Sequence, residues 1–384
     1  MLSPPPLALY VHLPWCVRKC PYCDFNSHQA RGPLPFDGYV DALLADLDHD
    51  LPLAWGRTVH SVFFGGGTPS LFPPAQIDRF LQGASARLRF APGLEVTLET
   101  NPGTAEHGRF EDYRAAGVNR ISFGIQSFDD GCLQRLGRIH DSAQAEAAVR
   151  LAQDAGLDNL NLDLMYALPG QTPDMALRDL ERAIALQPAH VSHYQLTLEP
   201  NTVFAARPPA GLPDEDRAWE MQEACQARLA DAGYAQYEVS AYARAGRECA
   251  HNLNYWRFGD YLGIGAGAHG KLTLGAEQRI VRRWKLKHPT AWLAAAGTPA
   301  AIGGEEEIAP AQRPFEYMLN ALRLVEGFAL PAFQARCGLS PEAIAAPLAE
   351  ATARGWLERV GDRVVPTALG RRFGNDVIAL FLAD

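Results

Sequence analysis

The sequence predicts an α/β fold: a partial (β/α)6 barrel followed by a smaller winged-helix-like α+β unit. Three observations carry this. Six short runs rich in β-branched and aromatic residues alternate with segments whose apolar residues recur every three or four positions. Each of the six runs ends in a glycine-rich or polar stretch. Past residue 202 the alternation stops and other patterns take over.

The strand candidates are LALYVHLP (7–14), HSVFFGG (60–66), LEVTLET (94–100), RISFGIQ (120–126), NLNLDLMY (159–166) and HVSHYQLTL (190–198). Between them lie FDGYVDALLADLDHDL, PAQIDRFLQGASARL, FEDYRAAG, SAQAEAAVRLAQDAG and PDMALRDLERAIAL, each with helical periodicity. Strand–helix–strand repeats cross over right-handedly and build a parallel sheet. Six repeats favour a curled sheet over an open doubly wound one. The strands end in CVRKCPYC, GGGTP, ETNP, IQS, DLMYALPG and LEP. Loops at the carboxyl ends of parallel strands share one face, which is where such folds keep their chemistry.

Residues 1–202 form the barrel in this reading, 203–300 an extension and 301–384 the C-terminal unit. The extension opens with the helical EDRAWEMQEACQARLADAG and reaches the aromatic, glycine-rich HNLNYWRFGDYLGIGAGAHG. GGEEE at 303–307 reads as a solvated junction. PFEYMLNALRLV, SPEAIAAPLAEATARGWL and the hairpin-like LERVGDRVVPT then suggest three helices with a β-wing. Residues 310–384 hold eight Arg and eight acidic residues, so this unit lacks the positive surface that nucleic acid requires. A structural or lid role fits it better.

The formal net charge of −9 also argues against a nucleic-acid or anionic-membrane partner. No secretory signal opens the chain, and no run of 18 apolar residues could span a bilayer. Cys132, Cys225, Cys249 and Cys337 are scattered, as in reduced cytosolic proteins. The expected location is the cytoplasm, without stable membrane insertion; a transient membrane-surface contact is compatible with this.

Cys16, Cys20 and Cys23 stand close together in HLPWCVRKCPYCDFNSH (12–28). Three thiolates can hold a [4Fe–4S] cluster and leave its fourth iron open to a small molecule. A zinc site would need His12 or His28 as its fourth ligand, and this spacing is not a usual finger pattern. Buried structural thiols are the plainest reading, but three within eight loop residues argue against it.

CVRKCPYC matches the Cys-x3-Cys-x-aromatic-Cys signature of the radical S-adenosylmethionine (radical SAM) superfamily, with Tyr22 as the aromatic. YVHLPWC, CDFNSH, FFGGGTPS, LETNP, RISFGIQSF, NLDLMYALPGQT, HYQLTLEP and HNLNYW follow in order between residue 10 and about 270. This series resembles the oxygen-independent coproporphyrinogen oxidase-like subgroup, and within it the heme chaperone branch. The resemblance implies that the open iron binds the amino and carboxylate groups of S-adenosylmethionine. Reductive cleavage of the sulfonium would then give a 5′-deoxyadenosyl radical.

Bottom-up, GGGTP lets backbone approach a small zwitterion without side-chain obstruction. Glu99, Gln126 and Asp163 end inner strands with groups able to bond an ammonium or ribose hydroxyls, and Arg138 can pair with a carboxylate. Each is equally readable as a satisfied polar residue at a barrel rim. The resemblance assigns them to cofactor binding, together with Tyr10, Gly66, Gly67, Thr68 and Tyr22, the last near the adenine or in the core. GIGAGAHG (263–270) lacks the strand–turn–helix setting of a dinucleotide site and reads as a tight turn. His251 in HNLNYW, beside Tyr255 and Trp256, reads as either a hydrogen-bonded loop histidine or an axial heme ligand, and the resemblance favours heme.

The true oxidases carry a further Cys two positions after the third, where this chain has Phe25, and a longer N-terminal extension. The expectation is therefore a carrier that binds heme and delivers it to apo-hemoproteins of respiration, with a [4Fe–4S] cluster and S-adenosylmethionine present. The competing expectation is a radical SAM enzyme that decarboxylates coproporphyrinogen III.

Overall fold

Leu7, Leu9, Val11 and Leu13 on one side of the first strand are fully buried, and Ala8, Tyr10 and His12 alternate with them on the other. Both faces of that strand are covered, as in a parallel sheet wrapped by helices. The computed structural model describes residues 1–103 and 109–382. Strands β1 (Leu7–Leu13), β2 (Thr58–Gly66), β3 (Arg89–Thr100), β4 (Arg120–Gln126), β5 (Leu160–Tyr166) and β6 (His190–Gln195) run parallel and pair in chain order. Helices α1 (Phe36–Ala54), α2 (Pro74–Ser85), α3 (Arg109–Ala115), α4 (Ser142–Asp154) and α5 (Pro173–Ala185) fall in the predicted segments. Their apolar faces and the outward residues of the strands, among them Phe64, Phe80, Ile121, Val149, Leu162 and Leu180, form one continuous core. Local signals set the helix starts. Asp141 caps α4 in a reciprocal capping box with Gln144, and Thr172 followed by Pro173 opens α5.

The sheet extends beyond the six expected strands. Short strands β7 (Ala235–Gln236) and β8 (Ala241–Ala243) add to β6, antiparallel. On the other side β9 (Asp260–Ile264) pairs parallel with β1. The antiparallel strands β10 (His269–Leu274), β11 (Arg279–Lys285) and β12 (Ile302–Glu307) then complete a twelve-stranded sheet.

Two expectations are corrected here. GGEEE is not a junction but the edge strand β12. Gly304 lies where a Cβ would stand 2.2 Å from the Trp284 ring, and Glu305 and Glu307 pair with Arg283 (3.0 Å) and Arg279 (2.8 Å) across the ladder. HNLNYW lies in a short helix, Ala250–Trp256, rather than a loop. A bilayer-spanning helix is absent among the described residues.

The C-terminal unit has helices at Arg313–Ala321, Leu330–Cys337 and Ala345–Ala353 and a three-stranded sheet whose wing is Leu357–Val360 and Arg363–Pro366. Its core of Phe328, Phe333, Ile344, Leu357 and Val364 is continuous with Leu2, Phe258 and Ile280 of the barrel side. Trp256 meets Arg323 (5.5 Å), and Arg257 pairs with Glu326 (3.0 Å), so this unit abuts the HNLNYW helix.

Candidate functional site

The loop that follows β1 is pinned along its length. Trp15 and Cys16 form a two-residue parallel ladder with His28 and Gln29. Lys19 Nζ donates to the carbonyls of Phe25 (3.0 Å) and Ser27 (3.2 Å), drawing the segment between the thiols into a turn. Asn26 Nδ2 donates to the carbonyls of Ala266 (3.0 Å) and Lys287 (2.9 Å), which ties the loop to the far side of the sheet. His12 bonds the Tyr10 hydroxyl through Nδ1 (3.0 Å) and the Asn26 carbonyl through Nε2 (2.9 Å), so both its nitrogens are engaged.

Glycines allow this packing. Gly66 has φ +117°, and a Cβ there would stand 2.5 Å from the His12 ring. Gly267, in the GIGAGAHG turn, has φ +77°, and a Cβ there would stand 2.1 Å from Asn26 Nδ2. That motif is thus a buttress under the cysteine loop, as the tight-turn reading expects.

Cys16, Cys20 and Cys23 all line one cavity of about 150 Å³ at the carboxyl ends of the strands. Burial pushes the Cys16 and Cys23 thiols up. Arg138 Nη1 approaches Cys20 Sγ at 3.5 Å, and Ser27 Oγ lies 3.6 Å from Cys23 Sγ. Among the described residues no three His, Cys, Asp or Glu are grouped tightly enough to share a single metal ion. Three thiols spaced around one cavity suit a cluster, in which separate irons each take one thiolate. With both His12 nitrogens engaged and His28 Nε2 at 3.3 Å from Asn26 Oδ1, the residues fit a [4Fe–4S] cluster better than a zinc ion.

Of the residues that the resemblance assigns to the cofactor, Gly66, Gly67, Thr68, Glu99, Gln126, Arg138, Asp163 and Tyr22 line the same cavity. Glu99 accepts from the Gly66 N–H (3.2 Å). Burial, and then the neighbouring Asp163, pushes its carboxyl up to about 8. Asp163, also raised by burial, accepts from Asn161 Nδ2 (2.8 Å) and Ser122 Oγ (3.2 Å). Gln126 ends β4 with φ 73°, a left-handed conformation uncommon for a side chain of this size, and accepts from the Tyr194 hydroxyl (2.8 Å). Arg138 donates to Asn101 Oδ1 (2.6 Å) and to the Gly124 carbonyl, while its buried Nε finds no partner among the described residues. Tyr22 borders the cavity and packs on Phe204 at 6.3 Å. Val17, Phe25 and Ile139 leave the cavity mouth apolar, with Phe25 61% exposed.

Asn101, Ser122 and Tyr194 belong to this wall but were not among the expected site residues. Strand alternation could have found two of them. Ser122 shares a face with Gln126, and Tyr194 is the inward residue before the end of β6.

Tyr10 and His251 are not brought to the cavity. Tyr10 lies one layer below, stacked on Phe63 (6.3 Å). His251 belongs to the opposite mouth of the barrel. Its Nδ1 is 3.2 Å from Ser61 Oγ, and its ring packs on Phe63 (4.9 Å) and Tyr10 (6.3 Å). Ser61 and Gly66 are five residues apart on one strand, so their backbones stand roughly 16 Å apart, with the Tyr10 ring between His251 and the glycine turn. Burial, and then Arg120, pushes the His251 imidazole down to about 3, so the ring is neutral.

Glu95 holds the start of the helix that carries His251. Its carboxyl accepts from Ala250 N (3.1 Å), His251 N (3.2 Å) and Cys249 Sγ (3.5 Å). A polar chain threads the barrel between the two ends, from Asp163 through Asn161 (2.8 Å), His190 (2.6 Å) and Tyr237 (2.8 Å) to the Cys249 N–H (3.3 Å).

Comparison with known proteins agrees with this geometry. Residues 10–183 match the radical SAM superfamily, and residues 308–373 match the HemN C-terminal domain. Over the full length of both chains the protein is 49% identical to the heme chaperone HemW of Escherichia coli. It is 32% identical to that of Bacillus subtilis over 98% of this chain and 99% of the relative. The solved structure of E. coli coproporphyrinogen III oxidase (HemN), a radical SAM enzyme, shares the fold with a TM-score of 0.83 at 24% identity, over 98% of this chain and 90% of that one. The chain belongs to the HemW family of the radical SAM superfamily.

Proposed function

We propose that this protein is a heme carrier, which binds heme through His251 and passes it to apo-hemoproteins of the respiratory chain. Cys16, Cys20 and Cys23 would hold a [4Fe–4S] cluster beside a bound S-adenosylmethionine. Such a cluster, when bound, supplies single electrons and one open iron site.

The chain's own residues suit that cofactor. Arg138 offers a guanidinium to the carboxylate, Glu99 and Asp163 offer carboxyls to the cationic end, and the Gly66–Gly67 turn leaves backbone exposed to it. Tyr22 would border the adenine. Tyr10 would act from below, by holding His12 and the glycine turn.

The separation of the two sites carries the reading. Decarboxylation by a radical needs the porphyrinogen side chains at the cavity where the radical forms, whereas the imidazole available to heme iron faces Ser61, five residues down β2 from cavity-lining Gly66, with the Tyr10 ring between. His251 is neutral, as a ligand must be, and its Nε2 has no hydrogen-bond partner among the described residues. The full-length identity to named heme chaperones supports the same reading.

The test is anaerobic. The reconstituted chain, loaded with heme, is mixed with an apo-hemoprotein; a parallel sample receives reductant, S-adenosylmethionine and coproporphyrinogen III. The expected outcome is heme transfer with intact porphyrinogen. Decarboxylated porphyrinogen that disappears in Cys20→Ser would overturn the proposal in favour of an oxidase.

A further inference from the structure

His251 has two ring nitrogens, and they are not equivalent here. Nδ1 faces Ser61 Oγ at 3.2 Å, and Nε2 has no partner among the described residues. When Nε2 gives its lone pair to a metal, the single ring proton must sit on Nδ1, so whatever faces Nδ1 has to accept it. Ser61 is 1% exposed and, among the described residues, has no other side-chain hydrogen-bond partner, so its oxygen is free to accept. Glu95 stands directly across from Ser61 in the parallel ladder. It is engaged with the Ala250 and His251 backbone N–H groups and the Cys249 thiol rather than with the imidazole.

On this basis, and resting on the reading of His251 as the heme ligand, we propose that Ser61 is the positioning residue that fixes the His251 tautomer and sets its strength as an iron ligand. A neutral hydroxyl at 3.2 Å is a weaker acceptor than a carboxylate at shorter range. It aligns the ring without making the nitrogen strongly basic. A ligand of intermediate strength suits a protein that must bind heme and then release it. Phe63 and Tyr10 add the second constraint, fixing the ring plane through contacts at 4.9 and 6.3 Å.

The experiment compares heme complexes of the full chain carrying Ser61, Ser61→Ala, Ser61→Thr, Ser61→Asp and His251→Ala. Heme affinity, the heme midpoint potential and the rate of heme loss to an excess apoglobin are recorded for each. Ser61→Ala should weaken affinity about tenfold, the low end for loss of a partner behind a metal-bound histidine. Ser61→Thr, which keeps the hydroxyl, should restore the wild-type values. Ser61→Asp should lower the potential and slow heme loss, a change that a merely structural role would not produce. Equal potentials and loss rates in Ser61→Ala and Ser61→Asp, with His251→Ala still altering the spectrum, would overturn the role of Ser61 and leave the ligand assignment intact. A His251→Ala complex spectrally identical to wild type would instead remove the assignment on which the inference rests. Ser61→Thr is the conservative control should the alanine variant fold poorly.

Discussion

Glu95 and Glu99 stand four residues apart on the inner face of β3 and serve opposite ends of the barrel. Glu99 bonds the Gly66 N–H at the cysteine-lined cavity, and Glu95 caps the helix that carries His251. One strand thus supports both candidate sites, and the two carboxyls should respond separately to substitution.

Glu95→Ala should free the amides at the start of the 250–256 helix. That helix is seven residues long and has no fully buried residue, so its own propensity does not hold it. Loss of the cap costs about 1 kcal/mol, so amide exchange across 249–256 should rise about fivefold while the β-strands stay protected. Exchange measured by mass spectrometry reads this directly; unchanged rates at those amides would contradict the capping role.

Glu99 gives a pH dependence of definite sign. Its carboxyl titrates at about 8 in the folded chain, above the ordinary carboxylate range. The folded state therefore holds a proton that the unfolded state has released, and stability falls as pH rises from the carboxylate range towards 8. Urea midpoints of the cofactor-free protein should fall over that window, and Glu99→Gln should flatten the fall. A cationic ligand beside Glu99 favours the ionised form, so S-adenosylmethionine affinity should rise with pH through about 8 in wild type and lose that rise in the Gln variant.

Arg138→Lys tests the carboxylate clamp. The guanidinium already spans Asn101 Oδ1, the Gly124 carbonyl and Cys20 Sγ, a fork that an ammonium cannot reproduce. S-adenosylmethionine affinity should drop about tenfold or more by equilibrium dialysis, with His251-dependent heme binding unchanged.

Gly66→Ala tests the packing of the turn. The added methyl would meet the His12 ring at 2.5 Å in a backbone with φ +117°. The expected loss is about 2–4 kcal/mol, seen as a lower urea midpoint, together with poorer iron incorporation because His12 carries Asn26 and the cysteine loop.

Much of this was legible in the chain. β4 spans the predicted RISFGIQ residues, and the wing hairpin falls within LERVGDRVVPT, because period-two alternation and turn residues are local signals. The three-thiol loop and most of the cavity wall were legible because these residues lie in or after the carboxyl-end halves of strands that share one face. What the chain concealed was non-local. GGEEE looks like a junction until the arginines of β11 are placed opposite it. Tyr10 closes no strand; its distance from the cavity depends on the layer the glycine turn occupies above it. The location of His251 at the far mouth depends on Glu95 and Ser61, which lie more than 150 residues away in sequence.

The most direct test is an optical titration of the purified chain with heme, wild type against His251→Ala. One heme per chain with a histidine-ligated spectrum in wild type, lost in the variant while S-adenosylmethionine binding persists, is the result this account requires. The same spectrum and affinity in both proteins would contradict it and place the heme elsewhere on the molecule.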